Sequence, residues 1–223
     1  MFGLDLVTAA GLLILAGNTA QCIVPQPPKI NINPVSAPIA YEFSLSSADL
    51  GKMKNDTVNP YAAGVDVTTG GLRHDRPVIR TAVEWGTMIS PDRRTGCMWY
   101  NAITVTIELN PKIYIAREHE KNKTCRQAIL EHEIRHVETD RAVMNQYALA
   151  IGTAVKQSVD SVGAMGPYNE SELPSVQKRL VAHIQAAVDS QQLLLDQEMQ
   201  RRQSLVDSLE EYERVSRICG SSP

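Results

Sequence analysis

Two histidines and a glutamate near the middle of the chain carry its strongest chemical signal. His132 and His136 are four residues apart, with Glu133 beside the first, in the string His-Glu-Ile-Arg-His. On a helix this spacing puts both imidazoles on one face, one turn apart, where they can bind one tetrahedral zinc ion. A neighbouring Glu133 could deprotonate the zinc-bound water. The pattern predicts a Zn2+ site with His132 and His136 as ligands and Glu133 as general base.

The surrounding residues favour a buried site over a chance match. At about 100° per residue, Glu133, His136 and Asp140 fall on one helical stripe, with His132 at its edge. Apolar side chains bracket these polar residues on the same stripe: Ile129, Val143, Tyr147, Ile151 and Ala154. Burying carboxylates in such a stripe is costly unless a metal or another partner satisfies them. The opposing interpretation is a hydrogen-bonded histidine pair on a half-buried helix.

A hydrolytic zinc site needs a third protein ligand, which the motif does not contain. The metzincin continuation is absent, because Thr139 and Ala142 stand where that pattern needs Gly and His. Glu198 lies near the middle of the apolar arc of a second predicted helix and is the predicted third ligand. An ion pair between Glu198 and Arg202, four residues on, is the competing interpretation. Asp207 falls outside the arc and is expected to be solvated.

Asp140 is the other acidic residue on the motif stripe. It is eight residues past His132, about 12 Å along the helix axis, which is far for a shared ion. One turn past His136, it is better placed to hold that imidazole by a hydrogen bond outside the ligand shell. Asp140 as the third ligand and Asp140 as a surface charge both stay open.

The first twenty residues read as a signal peptide. Leu6 to Ala16 form an apolar stretch, followed by small residues up to Ala20, and the stretch is too short to span a bilayer. Asp5 and the lack of a basic residue before the stretch are atypical, which leaves an uncleaved anchor as an alternative. We therefore expect a secreted or periplasmic protein. The net charge of −3 with scattered basic residues argues against nucleic acid as a partner.

The chain has four cysteines, none of them in a Cys-x-x-Cys pair. In an exported protein an even set favours disulfides over thiolate zinc ligands, and four cysteines allow three pairings. We expect a bond between Cys97, which precedes the longest predicted strand, and Cys125, which opens the motif helix.

The order of elements predicts an α+β fold in which strands come first and helices follow. Residues 21–40 are proline-rich and should be extended and poorly packed. Residues 41–160 form the predicted catalytic domain, and a long helix over 175–217 packs on it. The strands are predicted at Tyr41–Ser46, Val65–Thr68, Val78–Trp85, Met98–Leu109 and Ile113–Ala116. The motif helix should begin at Thr124, in a Thr124–Gln127 capping box, and end near Val159.

The stretch from Cys97 through the motif resembles a bacterial family of predicted secreted zinc-dependent proteases of otherwise unknown function. The similarity covers roughly residues 97–150 and is specific at His-Glu-x-x-His. It implies a zincin-like fold with a small antiparallel or mixed sheet, in which the strand before the motif helix lies along the cleft and His132, Glu133 and His136 are the motif residues.

Three functions follow as hypotheses. The first is an exported zinc metallohydrolase, most simply a peptidase, whose peptide or protein substrate pairs with the Ile103–Leu109 strand. The second is a non-catalytic zinc-binding envelope protein that meets a partner through its long C-terminal helix. The third is a structural protein with an accidental motif. No integral membrane domain is expected.

Overall fold

The computed structural model describes residues 22–53, 60–61 and 68–220. The predicted signal peptide at 1–20 and nearly all of the predicted strand at Val65–Thr68 lie outside the described residues. The elements, in chain order, are β1 (Lys29–Ser36), β2 (Ala40–Glu42), α1 (Ser47–Leu50), β3 (Gly71–His74), β4 (Val78–Ile89), β5 (Thr95–Leu109), β6 (Lys112–Ile115), α2 (Lys123–Val162), β7 (Met165–Asn169), α3 (Leu173–Val206) and α4 (Leu209–Cys219). The fold is mixed α+β, as predicted. None of the described helices is long and apolar enough to cross a membrane.

The larger sheet is built around β5. β4 runs antiparallel along one edge of β5. The opposite edge of β5 is shared by two strands, with β1 parallel to its second half and β7 antiparallel to its start. Both edges of Ile103–Leu109 are therefore hydrogen-bonded within the protein, to β1 and β4. The prediction that a substrate pairs with this strand is wrong, because a central strand has no free backbone groups to offer.

β1 also corrects the prediction that residues 21–40 are poorly packed. Ile30 and Ile32 alternate with polar residues and pack against the core of the larger sheet, as period-two alternation allows. Pro34 lacks an N–H donor and is tolerated because β1 is an edge strand.

The smaller sheet has the order β2-β6-β3, with β2 parallel and β3 antiparallel to β6. β6 puts Ile113 and Ile115 against the start of α2, where they pack with Cys125, Ile129 and Val137. The predicted strand at Tyr41–Ser46 is only partly present, because Ser46 caps the short helix α1 instead.

α2 is a single helix of 40 residues that carries the motif. Its N-cap is Asn122, whose side chain accepts a hydrogen bond from the Cys125 N–H, so the predicted Thr124–Gln127 box is two residues late. The second predicted helix, 175–217, is divided into α3 and α4. Asp207 ends α3, and Ser208 caps α4 by accepting a hydrogen bond from the Glu211 N–H.

The main core fills the space between β5, the second half of α2 and α3. Its side chains are mostly apolar, among them Ile103, Val105, Ile107, Met144, Ile151, Val155, Val176, Leu180, Ile184 and Val188. The hydroxyl of Tyr100 is satisfied within it by the Leu180 carbonyl oxygen. Because α3 buries its apolar residues in this core, it is part of the domain and not a free arm.

Two disulfides join Cys22 to Cys97 and Cys125 to Cys219. The predicted Cys97–Cys125 bond is therefore wrong. The two residues lie in different layers of the fold. Cys97 pairs with β4 in the larger sheet, whereas Cys125 packs beside the smaller sheet and faces the end of α4.

Candidate metal centre

The motif helix brings its two histidines into direct contact. His132 and His136 lie one turn apart on α2, with their rings edge-to-face and their centroids 4.7 Å apart. Their Nε2 atoms are 3.1 Å apart, and both side chains are buried. Two buried nitrogens at this distance need a shared proton or a shared cation between them.

The third member of the cluster is Asp207, at the corner between α3 and α4. Its Oδ1 atom lies 3.1 Å from His136 Nε2 and 3.4 Å from His132 Nε2. Only 4% of Asp207 is exposed, so the prediction that it is solvated is wrong. Within the described part of the chain, this is the group of histidine and acidic residues whose ligand atoms converge as a metal site requires.

The spacing of the three atoms fits a small tetrahedral cation. Ligand atoms about 2.0–2.1 Å from a tetrahedral zinc lie about 3.3 Å from one another, and the observed separations are 3.1, 3.1 and 3.4 Å. Two imidazoles and one carboxylate are also a donor set that zinc accepts while keeping a fourth position open. The cluster can therefore hold a metal ion, and its chemistry suits zinc.

A buried glutamine sets the tautomer of His136. Gln203 Nε2 donates to the His136 carbonyl oxygen at 3.0 Å and to Asp140 Oδ1. Gln203 Oε1 is therefore an acceptor, and it hydrogen-bonds Nδ1 of His136. The ring proton must sit on Nδ1, which leaves the Nε2 lone pair free to face the cluster.

Asp140 supports His136 at one remove. It was predicted to bond the imidazole itself, but Gln203 lies between them. The carboxylate is fully buried, and Arg73 Nε lies 3.4 Å from its Oδ2. Burial raises the pKa of Asp140 to about 6, against the opposing charge of Arg73. Arg73, Asp140 and Gln203 thus form a chain of polar contacts that ends at His136.

Glu211, on the first turn of α4, faces the other histidine. Nδ1 of His132 is buried without a hydrogen-bond partner among the described residues, and Glu211 Oε1 lies 3.5 Å from it. Burial opposes ionisation of Glu211, but hydrogen bonds from Arg214 and Arg135 outweigh it and hold its pKa at about 2. A charged carboxylate that faces the outer nitrogen of a histidine ligand is a common arrangement at zinc sites.

Glu133 lies beside the cluster, against β3. Its carboxylate accepts a hydrogen bond from the backbone N–H of Arg73, and burial raises its pKa. The close approach requires a glycine in β3, since a Cβ atom on Gly71 would lie 2.7 Å from Glu133 Oε1. A buried carboxylate with a raised pKa is suited to accept a proton and release it again.

Tyr212 also reaches the cluster. Its ring lies edge-on to His132, with centroids 5.9 Å apart. Its hydroxyl bonds to Asp207, and burial raises its pKa. The hydroxyl is therefore a neutral hydrogen-bond donor next to the third ligand atom. Tyr212 is not among the site residues predicted from the sequence.

Glu198 does not reach this centre. It pairs instead with Arg201 and Arg202, at 2.7 and 2.6 Å, and the bonds to the two guanidinium groups hold its pKa at about 2. The ion pair is the alternative that the sequence left open. On α3, the side chain that faces the motif is that of Gln203.

No protein-family model, curated protein or solved structure matches this chain.

Proposed function

We propose that this chain is a zinc-dependent hydrolase that cleaves peptide or amide bonds. The observation that carries the proposal is the His132–His136–Asp207 cluster, with ligand-atom spacings of a tetrahedral metal site. Glu133, buried beside it, supplies the acid–base group that hydrolysis needs. We also propose that the site is zincin-like, as the resemblance noted in the sequence implies.

The residues divide the work by position. A bound zinc would supply Lewis acidity to the substrate carbonyl and to water. Glu133 would accept the proton from the attacking water and return it to the leaving amine. The Tyr212 hydroxyl, beside Asp207, could donate a hydrogen bond to the negative charge that develops on the carbonyl oxygen.

The outer edge of β3 suits an extended substrate. Because Gly70 and Ala116 form a hydrogen-bonded pair, the antiparallel alternation turns the backbone groups of Gly71 and Arg73 away from β6. Among the described residues, no strand pairs with this edge. The Arg73 N–H already donates to Glu133, so a peptide that joins the edge would pair with the backbone groups of Gly71 and lie beside the general base. This edge replaces Ile103–Leu109 as the proposed place of substrate pairing.

The test compares the parent with Glu133→Gln, using a library of extended peptides in the presence of zinc. Glutamine keeps an acceptor for the Arg73 N–H but cannot carry a proton, so we expect hydrolysis to fall by about 10²–10⁴-fold while zinc stays bound. Glu138→Gln, an exposed position on the same helix, is the matched control and should cleave like the parent.

The same experiment examines the second function proposed from the sequence, a zinc-binding envelope protein without turnover. A specific feature favours a partner on the C-terminal helix, because Leu193 and Leu205 of α3 are 60% and 67% exposed. This alternative would be supported if the parent binds zinc but cleaves no peptide, and if Glu133→Gln behaves like the parent in both measurements.

Two disulfides are typical of proteins that mature in an oxidising compartment. We propose on this basis, together with the N-terminal segment, that the protein is exported to the periplasm or secreted.

A further inference from the structure

We propose that the Cys125–Cys219 disulfide completes the metal centre, so that zinc binding and hydrolysis are confined to the oxidised chain. This inference rests on the proposed zinc site and adds its regulation. The disulfide joins the first turn of α2 to the last residue of α4. Three residues that face the histidines, Asp207, Glu211 and Tyr212, lie on α4 or directly before it, whereas Gln203 reaches His136 from α3.

α4 is weakly anchored in every other way. It has 11 residues, and none of them is buried. Isolated helices of this length are marginal in water. Besides the disulfide, α4 is held by the partial packing of Val215 and Cys219 on the smaller-sheet cluster and by the ion pair between Arg135 and Glu211. The Tyr212 ring adds edge-on contacts with His132 and Tyr61. Cleavage of the disulfide would therefore release α4 far more readily than any helix that contributes to the main core.

Release of α4 would remove the support of the third ligand. Asp207 is the residue at which α3 ends, and Ser208 begins α4 by capping it. With α4 detached, Asp207 would have to be ordered anew at each binding event, and Glu211 would no longer face His132 Nδ1. His132 and His136 would keep their places, because α2 is fixed by the core.

The surroundings of Cys125 favour reversible reduction. His119 Nδ1 lies 3.3 Å from Cys125 Sγ, and Cys125 sits at the N-terminal end of a 40-residue helix. Both features stabilise a thiolate at this sulfur. A dithiol reductant would attack the half-buried Cys219 Sγ, and the Cys125 thiolate would leave. The second thiol of the reductant would then displace Cys219, so the reductant is oxidised to a disulfide and the protein gains two thiols.

The test measures zinc affinity, by competition with a chromogenic chelator, in two double variants of the full chain. Cys125→Ser with Cys219→Ser should bind zinc about 100-fold or more weakly than the parent, because the ligand Asp207 loses its fixed position together with Glu211, which faces His132. Cys22→Ser with Cys97→Ser should bind like the parent. The control is matched, because the two bonds close comparable sequence separations of 94 and 75 residues.

Equal zinc affinity in the two double variants would overturn this inference and leave the proposed function standing. A parent that binds no zinc when oxidised would overturn both. If the Cys125/Cys219 variant unfolds, the test is made on the parent protein after reduction with a phosphine. Amide hydrogen exchange then measures the protection of α4 and of β5. We expect protection of α4 to fall at least about 10-fold while β5 keeps its protection. Retained protection in α4, or a parallel loss in β5, would contradict the proposal.

The part given to His119 has its own measurement. His119→Leu, which has no hydrogen-bond donor, should slow reduction of the Cys125–Cys219 bond by a dithiol at least about threefold, because the leaving thiolate loses the imidazole beside it. Reduction of Cys22–Cys97 in the same sample should be unchanged. Equal rates in parent and variant would remove His119 from the proposal.

Discussion

The two halves of α2 bury different chemistry within one uninterrupted helix. From Cys125 to Asp140 it buries two histidines and two carboxylates against β3 and the α3–α4 corner. From Val143 to Val159 it buries apolar side chains and a single serine, against β5 and α3. The second half is a core helix that needs nothing further to be stable.

In the first half most of the buried polar groups have a partner. His132 Nδ1 and Asp140 Oδ2 lack a hydrogen bond but face Glu211 and Arg73. The Gln203 amide bridges Asp140 and His136, the Arg73 backbone bonds Glu133, and Asp207 faces both histidines. Buried polar groups without partners would each cost about 1–3 kcal/mol. A protein that needed only a core would fill these positions with apolar residues. The contrast therefore points to function in the first half.

The largest effect should come from removing Asp207, which belongs to the polar half although it lies far along the chain. Asp207→Ala should lower zinc affinity by about 1,000-fold or more, because a hydrolytic zinc site needs three protein ligands and two histidines would remain. His136→Ala should act similarly. Metal analysis of the purified protein is the measurement, with one zinc per chain expected in the parent. Asp189→Ala and His183→Ala, exposed positions on α3, are the controls. Full zinc occupancy in Asp207→Ala would show that Asp207 is not the third zinc ligand.

The opposite response is expected in the apolar half. Ile151 is fully buried in the main core, and Ile151→Ala should lower the free energy of unfolding by about 2–5 kcal/mol. Zinc affinity should stay within about threefold of the parent, since the metal centre lies against other elements. Denaturant unfolding of the metal-free protein and a zinc titration give the two numbers. A large loss of zinc affinity would show that the two halves are not independent.

Gln203 tests how the polar half is organised. Gln203→Leu removes the acceptor of the His136 Nδ1 proton and the donor to Asp140. Zinc affinity should fall by about 10–100-fold, the usual range for groups that orient ligands without touching the metal. Gln203→Glu, which keeps the acceptor for His136, should recover part of the loss. An unchanged affinity in the leucine variant would mean that α2 alone fixes the imidazole.

The sequence was sufficient for the motif helix and for two of the four strands of the larger sheet, because these follow local periodicity. β4 and β5 were both predicted. In the structure β4 continues past its predicted end to Ile89, and β5 begins earlier than predicted, at Thr95. Pairing across the fold was not predictable in the same way. The disulfide partners of Cys97 and Cys125 depend on which layer each element joins, and no local pattern encodes that.

Asp207 was missed because a helical wheel assumes an unbroken helix. Extended over 175–217, the wheel places Asp207 among solvated residues, whereas the chain turns at this residue and redirects its side chain toward α2. The signal was present in the sequence. Ser208-Leu209-Glu210-Glu211 has the form of a capping box, which would have placed Asp207 at a helix boundary.

The smallest effect should be that of Glu198, the ligand expected from the sequence. Its two guanidinium partners hold it on the outer side of α3, so Glu198→Ala should change zinc affinity by less than about twofold. Stability should change little, because ion pairs on the solvent side of a helix contribute little. The experiment is a zinc titration of Glu198→Ala beside Asp207→Ala, two acidic positions nine residues apart. The helical wheel predicts that Glu198 binds zinc and Asp207 does not, whereas the structure places Asp207 at the cluster and Glu198 away from it. The variant with the larger loss of zinc affinity therefore shows whether the chain continues as a straight helix or turns at Asp207.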